Sequence, residues 1–214
     1  MSDSLFAPAG PWVERLSAGT VLLHGWACAD DVRLVRAVDE VVALAPLRGM
    51  ATPGGQAMSV ITSSCGDWGW FSDRRGYRYS AVDPDSGRPW PAMPDALREL
   101  AQGAAAAAGF SGFDPDACLI NCYLPGARMG LHQDKDERDF SAPIVSVSLG
   151  LPADFLLGGL RRADKTARIA LRHGDVLVWG GPDRLRFHGV RPVPPGDHPL
   201  LGGRRINLTF RKAR

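Results

Sequence analysis

The sequence predicts a mainly β domain with two flanking helices (an α+β fold), built as an antiparallel sandwich or barrel. Gly and Pro are abundant, with 25 and 17 of 214 residues, and this abundance indicates many turns. Seven short strand-like runs with turn-rich spacers follow one another in the second half of the chain. No helical pattern of useful length separates these runs, so a parallel α/β sheet is not expected.

The first elements are a lead-in, a strand and a helix. Residues 1–20 are expected to be irregular, and residues 21–26 form a candidate strand. A helix is predicted from Asp30 or Asp31, either of which can cap it, to about Leu44. Its valines and leucines recur at helical spacing, and a proline follows shortly after its end.

The next segment, residues 47–93, has a different character. It holds a TPGG turn and a candidate strand at 57–63, and then a polar, turn-rich stretch with no clear period. Aromatic residues and arginines alternate there: Trp68, Trp70, Phe71, Arg74, Arg75, Tyr77, Arg78 and Tyr79. Such a stretch is either a loop that its aromatics anchor on the core or a lid that stacks a flat ligand and holds phosphates.

A second helix and the main run of strands follow. Asp95 caps a predicted helix from about 96 to 108, and Gly109 ends it. The strands are expected at residues 117–124, 143–151, 154–157, 168–171, 175–179, 186–190 and 204–210.

Composition excludes several classes of protein. With 45% hydrophobic and 22% charged residues, the chain is neither disordered nor fibrous, and its length suits one domain. The sequence contains no run of 18 apolar residues, so no membrane span is predicted, and the N-terminus shows no secretory signal. The four cysteines form no C-x-x-C pair, so we expect a reduced, cytoplasmic protein.

Charge is distributed unevenly. Residues 1–160 carry 12 basic and 19 acidic side chains, whereas residues 161–214 carry 13 basic and 4 acidic ones. A basic C-terminal quarter suits a polyanion such as nucleic acid, although it is also compatible with a solvated surface that merely balances the acids elsewhere.

The sequence His132-Gln133-Asp134 is a candidate metal-binding motif. In an extended chain the side chains of residues i and i+2 point to one side, so the imidazole and the carboxylate would converge. A third ligand must come from elsewhere, and His173, His188 and His198 are candidates. Two histidines and one carboxylate form the facial triad of non-haem Fe(II) oxygenases, but zinc hydrolases use similar ligands.

The last predicted strand carries a polar face. Period two places Arg205, Asn207, Thr209 and Arg211 together. Two guanidinium groups on one face can each bind a carboxylate, as a dicarboxylate cosubstrate would require. The alternative is an exposed edge strand whose charges prevent aggregation. Asn121 and Tyr123 are a similar i, i+2 pair on an earlier strand and could bind the same anion.

Together these motifs resemble the AlkB family of Fe(II)/2-oxoglutarate-dependent nucleic-acid dealkylases. Other stretches are also similar to that family: TPGG-x-x-MSV (52–60), WPAMP (90–94), PDACLIN (115–121), LHQDKDE (131–137), APIVSVSLGLPA (142–153) and HGDVLVWGG (173–181). The resemblance covers nearly the whole chain. Cys122 and Ile206 depart from it, since the family has a basic residue and an aromatic there.

The resemblance implies a metal site and a cosubstrate site. His132, Asp134 and His188 would bind Fe(II) and form the catalytic centre, with 2-oxoglutarate as cosubstrate and O₂ as oxidant. Arg205 would hold the C1 side of 2-oxoglutarate and Arg211 its distal carboxylate. The pocket would be completed by Asn121, Tyr123 and Asn207.

The resemblance also implies a substrate site and a more specific fold. Trp70 would stack the flipped base against His132, and Asp136 would face the exocyclic amine of that base. Other residues would line the base and backbone channel: Arg162, Tyr77, Arg78 and Tyr79. The fold would be a single-domain double-stranded β-helix (jelly roll), with its catalytic core at about 115–214 and an N-terminal nucleotide-recognition lid at about 47–93.

The activity so implied is oxidative demethylation of N1-methyladenine and N3-methylcytosine in DNA, in single strands, with release of formaldehyde, succinate and CO₂. A related oxygenase of methylated RNA or protein is the alternative. The partner would be alkylated DNA, with RNA as a second possibility, and the protein would be a monomer without membrane contact. His24, His173 and His198 are interpreted as structural residues and Trp179 as a core aromatic.

Overall fold

A computed structural model describes residues 10–214 of the chain. Within that range it contains fourteen strands and two α-helices. The strands are β1 Trp12–Arg15, β2 Thr20–His24, β3 Arg48–Ala51, β4 Ala57–Gly66, β5 Gly69–Asp73, β6 Gly76–Ser80, β7 Ala117–Tyr123, β8 Met129–His132, β9 Ile144–Gly150, β10 Ala153–Leu157, β11 Ala167–Leu171, β12 Val176–Trp179, β13 His188–Val190 and β14 Arg205–Arg211. The helices are α1 Asp31–Leu44 and α2 Asp95–Ala107.

Most predicted elements are confirmed, with ends that differ by one to three residues. The first part of the lead-in expected at 1–20 lies outside the described residues, but Trp12–Arg15 forms β1 and is not irregular. None of the helices that the structure describes is long and apolar enough to cross a membrane.

Eight strands form one antiparallel sheet in the order β1-β2-β12-β9-β14-β7-β4-β3. Strand β14 lies near its centre, between β9 and β7, and all seven of its residues are buried. Ile206, Leu208 and Phe210 join the main hydrophobic core, so the alternating polar residues of β14 face the other side of the sheet. The interpretation of this strand as an exposed charged edge is therefore wrong.

Four further strands form a second antiparallel sheet in the order β11-β10-β13-β8. Apolar side chains of this sheet pack against those of the large sheet. The contacting residues are Phe155, Leu157 and Leu171 on the small sheet and Leu22, Ile144, Leu177 and Trp179 on the large one. The two sheets thus form the expected double-stranded β-helix, with the polar face of β14 between them.

Both helices cover the opposite face of the large sheet. Helix α1 buries Leu34, Val38 and Val41 in the main core, and α2 adds Leu97 and a series of alanines. Helix α2 ends in a Schellman motif, in which Gly109 N–H bonds to Ala106 O and Phe110 N–H to Ala105 O. Gly109 has a φ of +96°, which is unfavourable for a residue with a side chain, so the predicted glycine stop is confirmed.

Strands β5 and β6 form a separate two-stranded hairpin, residues 69–80, here called the lid hairpin. The sequence did not predict these strands. Trp90 packs directly beneath the hairpin, where a Cβ on Gly69 would lie 2.1 Å from the indole. Strands β3 and β4 fall within the range expected for the lid but belong to the large sheet.

The two departures from the family pattern are neighbours. Cys122 on β7 lies opposite Ile206 on β14, and both are buried in the main core on the helix side of the sheet. They therefore form one packing contact behind the polar face and do not line it.

Candidate active site

Three predicted metal ligands converge between the two sheets. His132 ends β8 and His188 begins β13, and the two are direct partners across these antiparallel strands. Asp134 follows two residues after the end of β8. The candidate ligand atoms of the three residues all lie within 4.8 Å of one another. The structure thus selects His188 from the three histidines that the sequence offered.

Hydrogen bonds fix how both histidines face the cluster. Nδ1 of His132 lies 2.9 Å from Gly130 O, and Nδ1 of His188 lies 3.0 Å from Arg186 O. A carbonyl only accepts, so Nδ1 is the nitrogen that donates in each ring, and Nε2 is the nitrogen that faces the cluster as a candidate ligand atom. Burial lowers the pKa of His188 to about 4, so this ring is a neutral ligand at pH 7.

Arg211 holds the carboxylate of the cluster. Its Nη2 and Nε donate to Asp134 Oδ2 at 2.6 and 3.0 Å. Burial works against ionisation of Asp134, but the charge and hydrogen bond of Arg211, together with the charges of His188 and His132, outweigh it and the pKa of Asp134 is lowered. Because Arg211 occupies Oδ2, Oδ1 is the oxygen left for a cation.

The cluster is open on one side. The His132 side chain is 35% exposed, whereas Asp134 and His188 are only 8% and 6% exposed. A substrate therefore reaches the cluster past His132. The donor set of two imidazole nitrogens and one carboxylate suits Fe(II) and leaves coordination positions free.

The predicted cosubstrate residues lie on adjacent strands. Arg205 on β14 is opposite Tyr123 on β7, and Asn207 is opposite Asn121. Asn121 Nδ2 donates to Asn207 Oδ1 at 3.2 Å. The period-two prediction that these residues share one face is confirmed by this register.

Arg205 is a buried cation without an anion. It is 1% exposed and forms no ion pair within residues 10–214. Its donors reach Ser148 Oγ at 2.7 Å and Leu151 O at 3.2 Å, while its Nε has no partner there. Burial lowers the pKa of Arg205 to about 10. An isolated buried charge costs several kcal/mol, so this site fits a ligand that brings a carboxylate.

Other unpaired polar atoms surround this pocket. In the part of the chain that the structure describes, six buried side-chain atoms lack hydrogen-bond partners, and besides Arg205 Nε three of them lie near this pocket: Asn121 Oδ1, Thr62 Oγ1 and Trp179 Nε1. Thr62 is the cross-strand neighbour of Asn121, and the Trp179 ring lies against His188 with centroids 5.0 Å apart. Buried polar groups are normally paired, so their clustering here indicates a polar ligand between the sheets. Trp179 is a core aromatic, as expected, but its unpaired N–H was not anticipated.

Two predicted substrate residues are joined by a hydrogen bond. Trp70 on the lid hairpin donates from Nε1 to Asp136 Oδ2 at 2.9 Å. Its ring stacks on Tyr77 with centroids 5.6 Å apart, and Tyr77 is 46% exposed. An aromatic surface and a carboxylate thus lie beside each other, two residues from Asp134.

The other predicted substrate residues differ in accessibility. Arg162 donates to Leu131 O at 2.7 Å, which places it next to His132. Arg78 lies over Phe71 and forms hydrogen bonds at 2.8 and 2.6 Å to both oxygens of Asp73, so it fastens the hairpin. The prediction that Tyr79 lines the substrate channel is wrong, because Tyr79 is only 6% exposed and its hydroxyl bonds to buried charges.

Sequence reasoning missed two buried charged residues beside the cluster. Glu137 pairs with Arg184 at 3.1 Å, and Arg184 Nη1 donates to the backbone oxygen of Asp134 at 2.8 Å. Glu137 belongs to the LHQDKDE motif, but a glutamate in a charged loop usually indicates a solvated surface. The only signal was its place in that motif.

The remaining candidate histidines lie together elsewhere. His173 and His198 stack with centroids 4.2 Å apart, and His173 Nε2 lies 3.0 Å from Asp31 Oδ2 at the start of α1. Both Nδ1 atoms accept backbone N–H groups, from Gly150 and Leu200. These contacts support the interpretation of both residues as structural.

Comparison with known proteins agrees with this geometry. A family profile described as the 2OG-Fe(II) oxygenase superfamily matches residues 19–211, nearly the whole chain. The chain belongs to the 2OG-Fe(II) oxygenase superfamily. This oxygenase is 54% identical to the alpha-ketoglutarate-dependent dioxygenase AlkB of Escherichia coli K12, over 98% of this chain and 97% of that protein.

Two further comparisons place the oxygenase within the AlkB family. It is 46% identical to an AlkB homologue of Caulobacter vibrioides, over 88% of this chain and 86% of the relative. The solved structure of OsALKBH1 superimposes with a TM-score of 0.83 at 30% identity, covering 94% of this chain and all of that one. The oxygenase is therefore an Fe(II)- and 2-oxoglutarate-dependent dioxygenase, since alpha-ketoglutarate is another name for 2-oxoglutarate.

Proposed function

We propose that this oxygenase removes N-methyl groups from the Watson–Crick edge of DNA bases, N1-methyladenine and N3-methylcytosine above all. The observation that carries the proposal is the hydrogen bond between Trp70 and Asp136. It holds an aromatic surface and a negative charge together, two residues from Asp134 in the metal cluster. A flat, cationic group is the ligand that this pair suits.

The geometry of the described residues supports a metal and a cosubstrate assignment within this proposal. His132, Asp134 and His188 would hold Fe(II) through two Nε2 atoms and one carboxylate oxygen. The end of 2-oxoglutarate that binds the metal would lie near Asp134, which Arg211 contacts. Arg205 lies six residues before Arg211 on β14, roughly 20 Å away along the strand. Its buried charge has no ion-pair partner within residues 10–214. We therefore assign the distal carboxylate to Arg205 and the metal end to Arg211, the reverse of the sequence-based expectation.

Neighbouring groups complete the cosubstrate site. Tyr123 lies beside Arg205, and Asn121 beside Asn207. The Tyr123 hydroxyl has only a weak contact, 3.9 Å to Met129 Sδ, so it is available to donate to a carboxylate. Each donor bonded to a buried carboxylate contributes about 1.5–3 kcal/mol, more than a neutral pair.

Base selection would rest on charge and stacking. N1-methyladenine and N3-methylcytosine are cations at neutral pH, whereas unmodified bases are neutral. The Asp136 carboxylate attracts the methylated form by Coulomb interaction and gains much less from the neutral one. Stacking between Trp70 and His132 would contribute roughly 1–3 kcal/mol for any base. Methylation already prevents pairing, so the base is extruded from a duplex at a lower cost.

When bound, Fe(II) with 2-oxoglutarate and O₂ supplies the oxidising power that converts the N–CH₃ group to N–CH₂OH, while 2-oxoglutarate becomes succinate and CO₂. The chain contributes position. His132 and Trp70 clamp the base, and Asp136 fixes its edge. The N–CH₂OH carbinolamine then breaks its C–N bond, which releases formaldehyde and leaves the repaired base. The paired sheets exclude water from the buried side of the cluster.

The lid hairpin and the basic C-terminal quarter would bind the strand. Tyr77 is exposed on the hairpin and Arg162 lies next to His132. Residues 161–214 hold thirteen basic residues, of which Arg184, Arg205 and Arg211 are buried. The other ten are available for phosphate contacts, which favours nucleic acid over protein. Within this proposal the enzyme acts as a cytoplasmic monomer on single-stranded DNA, with RNA as a second substrate.

The test is a substrate panel. The oxygenase would be incubated with Fe(II), 2-oxoglutarate and oligonucleotides that carry N1-methyladenine, N3-methylcytosine or N6-methyladenine, each as DNA and as RNA, and with a methylated peptide. Mass spectrometry would report loss of one methylene unit, and the His188→Ala variant would give the background. We expect turnover of the two cationic lesions in DNA to be fastest. Turnover of the peptide alone would contradict the proposal.

A further inference from the structure

A buried group of charges connects the lid hairpin to the metal cluster. It consists of Tyr79 from β6, Asp134 and Glu137 from the loop after β8, Arg184, and Arg211 from β14, and is here called the ionic network. The charged side chains are between 2% and 8% exposed, and Tyr79 is 6% exposed. Two acids and two bases balance, so the group is neutral as a whole.

Tyr79 links the hairpin to two members of the network. Its hydroxyl donates to Glu137 Oε1 at 2.7 Å and accepts from Arg211 Nη1 at 3.3 Å. Arg211 uses its other donors on Asp134 Oδ2. One hydroxyl on the lid hairpin is therefore a single residue away from the carboxylate proposed to bind Fe(II).

The rest of the network is fixed to the core. Arg184 contacts Glu137 Oε2 at 3.1 Å, the Asp134 backbone oxygen at 2.8 Å and Ala142 O at 3.0 Å. By contrast, Arg211 Nε lies 3.4 Å from Glu137 Oε1. The Tyr79 hydroxyl is thus the short contact on the Arg211 side of Glu137. A displaced hairpin would remove this contact and the hydrogen bond from Arg211 to the same hydroxyl.

Buried ion pairs add little net stability, but their geometry depends strongly on each partner being in place. With the hairpin docked, Arg211 is held between Glu137, Tyr79 and Asp134. Without the Tyr79 hydroxyl, Glu137 Oε1 retains only the longer contact to Arg211, and the guanidinium can rotate with Glu137. The orientation of the Asp134 carboxylate would change with it.

We infer that Tyr79 is a positioning residue through which docking of the lid hairpin sets the orientation of the metal-binding carboxylate. The inference rests on the proposed metal site. Because Trp70 and Tyr77 on the same hairpin are proposed to hold the base, substrate binding and metal binding are then coupled. The coupling is reciprocal: a loaded metal site holds the hairpin down, and a base on the hairpin tightens the metal site.

Ser72 provides a matched control on the other strand of the hairpin. It is 6% exposed, like Tyr79, and its hydroxyl donates to Ala51 O of β3 at 2.6 Å. Ser72→Ala therefore removes a hydroxyl that fastens the hairpin to the large sheet without touching the ionic network. It separates loss of hairpin attachment from loss of coupling.

The experiment measures hydrogen–deuterium exchange of peptides that cover residues 69–80, with and without Mn(II) plus 2-oxoglutarate, a pair that does not turn over. We expect loading to slow exchange of the hairpin by roughly 5-fold or more in the wild-type protein. Tyr79→Phe should lose this slowing. In Ser72→Ala the hairpin should exchange faster than in wild type both with and without Mn(II) plus 2-oxoglutarate, but loading should still slow its exchange. Tyr79→Phe should also release more succinate per formaldehyde, whereas Ser72→Ala should keep the wild-type ratio.

The outcomes distinguish the inference from the function on which it rests. Mn(II) binding would be followed in the same samples by loss of the free-ion EPR signal. If wild-type protein bound no Mn(II), the proposed metal site would fail and the inference with it. If Mn(II) bound and the hairpin did not respond, or if Tyr79→Phe responded like wild type, the inference alone would be overturned. A further check uses wild-type protein only: an N1-methyladenine oligonucleotide should tighten Mn(II) binding, by the same factor by which Mn(II) tightens binding of the oligonucleotide. Unchanged Mn(II) affinity with the oligonucleotide bound would overturn the inference.

Discussion

Arg211 donates two hydrogen bonds to one oxygen of Asp134, from Nη2 at 2.6 Å and from Nε at 3.0 Å. Arg205, six residues earlier on the same strand, has no ion-pair partner within residues 10–214. The two arginines therefore differ in their interactions in the ligand-free protein. Arg211 neutralises the buried Asp134 carboxylate, whereas Arg205 is a buried cation without an anion among the described residues. Substitution of Arg211 and substitution of Arg205 should therefore have opposite effects on the stability of the ligand-free protein.

Arg211→Ala should destabilise the ligand-free protein by about 3–5 kcal/mol, because it leaves Asp134 and Glu137 buried without their shared partner. The free energy of unfolding in urea measures this, and Mn(II) titration should show weaker metal binding in the same variant. Arg33, whose ion pair with Glu99 is mostly exposed, supplies the comparison: Arg33→Ala should change stability by less than about 1 kcal/mol. Equal stabilities of the Arg211 and Arg33 variants would contradict the conclusion that Arg211 is the essential partner of the two buried acids.

Arg205→Met should leave the ligand-free protein as stable as wild type or more stable, because it removes a buried charge that has no partner. Its affinity for 2-oxoglutarate should fall by about 2 kcal/mol or more, roughly 30-fold, because the distal carboxylate loses its cation. Calorimetric titration with Mn(II) present gives the affinity, and urea unfolding gives the stability. Wild-type affinity combined with a loss of several kcal/mol in stability would show that Arg205 is a structural residue.

Substitution of any metal ligand should remove activity without unfolding the chain. His132→Ala, Asp134→Ala and His188→Ala should each reduce succinate formation by at least about 100-fold, beyond what loss of an outer-shell group costs. His173→Ala and His198→Ala, which alter the stacked pair near α1, should retain it. Circular dichroism establishes that all five variants are folded. If either control lost activity to the same extent, that histidine would have to be included in the site.

Asp136→Asn should separate the effect of the negative charge of Asp136 from its effect on the position of Trp70. An asparagine oxygen can still accept the hydrogen bond from Trp70 Nε1, so the indole stays in place while the negative charge is lost. The initial rate on N1-methyladenine should fall roughly 10-fold, and that on neutral 1,N6-ethenoadenine much less. Asp136→Ala, which also frees Trp70, should slow both. Equal losses on both lesions in the asparagine variant would mean that Asp136 organises the site and does not recognise base charge.

Asp183 should make the fold sensitive to acid. Burial opposes its ionisation, but hydrogen bonds from Ser17, Thr20 and Gly19 N–H together with the charge of Arg186 outweigh it and lower the pKa of Asp183 below its ordinary value of 3.8. Its stabilising contribution is therefore complete above pH 3.8 and is lost as the pH falls through the lowered value. Unfolding in urea between pH 3 and pH 7 should show a steeper acid loss for wild type than for Asp183→Asn. Parallel curves would contradict this.

Period-two alternation in the sequence correctly predicted the face shared by Arg205, Asn207 and Arg211. It could not show whether that face is solvated, because burial of β14 depends on β9 and β7, which lie far away in sequence. The proposed order of the two arginines along the cosubstrate could not be inferred from the sequence either, since it depends on which arginine contacts Asp134. Only the folded loop after β8 brings those groups together.

The lid shows where local patterns fail. Its aromatics gave no clear period because the two strands are five residues each and joined by a two-residue turn, Arg74-Arg75. Tyr77 and Tyr79 have the same sequence signal, yet one is exposed and the other is buried on Glu137. Their difference arises from contacts with the catalytic core, so no single-sequence pattern distinguishes them. Glu137 was missed for the same reason.

The position of β14 has a consequence for the order in which the protein is made. This strand is inserted between β9 and β7, which are synthesised more than fifty residues earlier. Until residues 205–211 leave the ribosome, the sheet has a gap at its centre, Asp134 lacks its arginine, and the arginine proposed to bind the cosubstrate is missing. A nascent chain can thus display two histidines and a carboxylate without being able to use 2-oxoglutarate, so oxidative chemistry begins only after the last strand has closed the sheet.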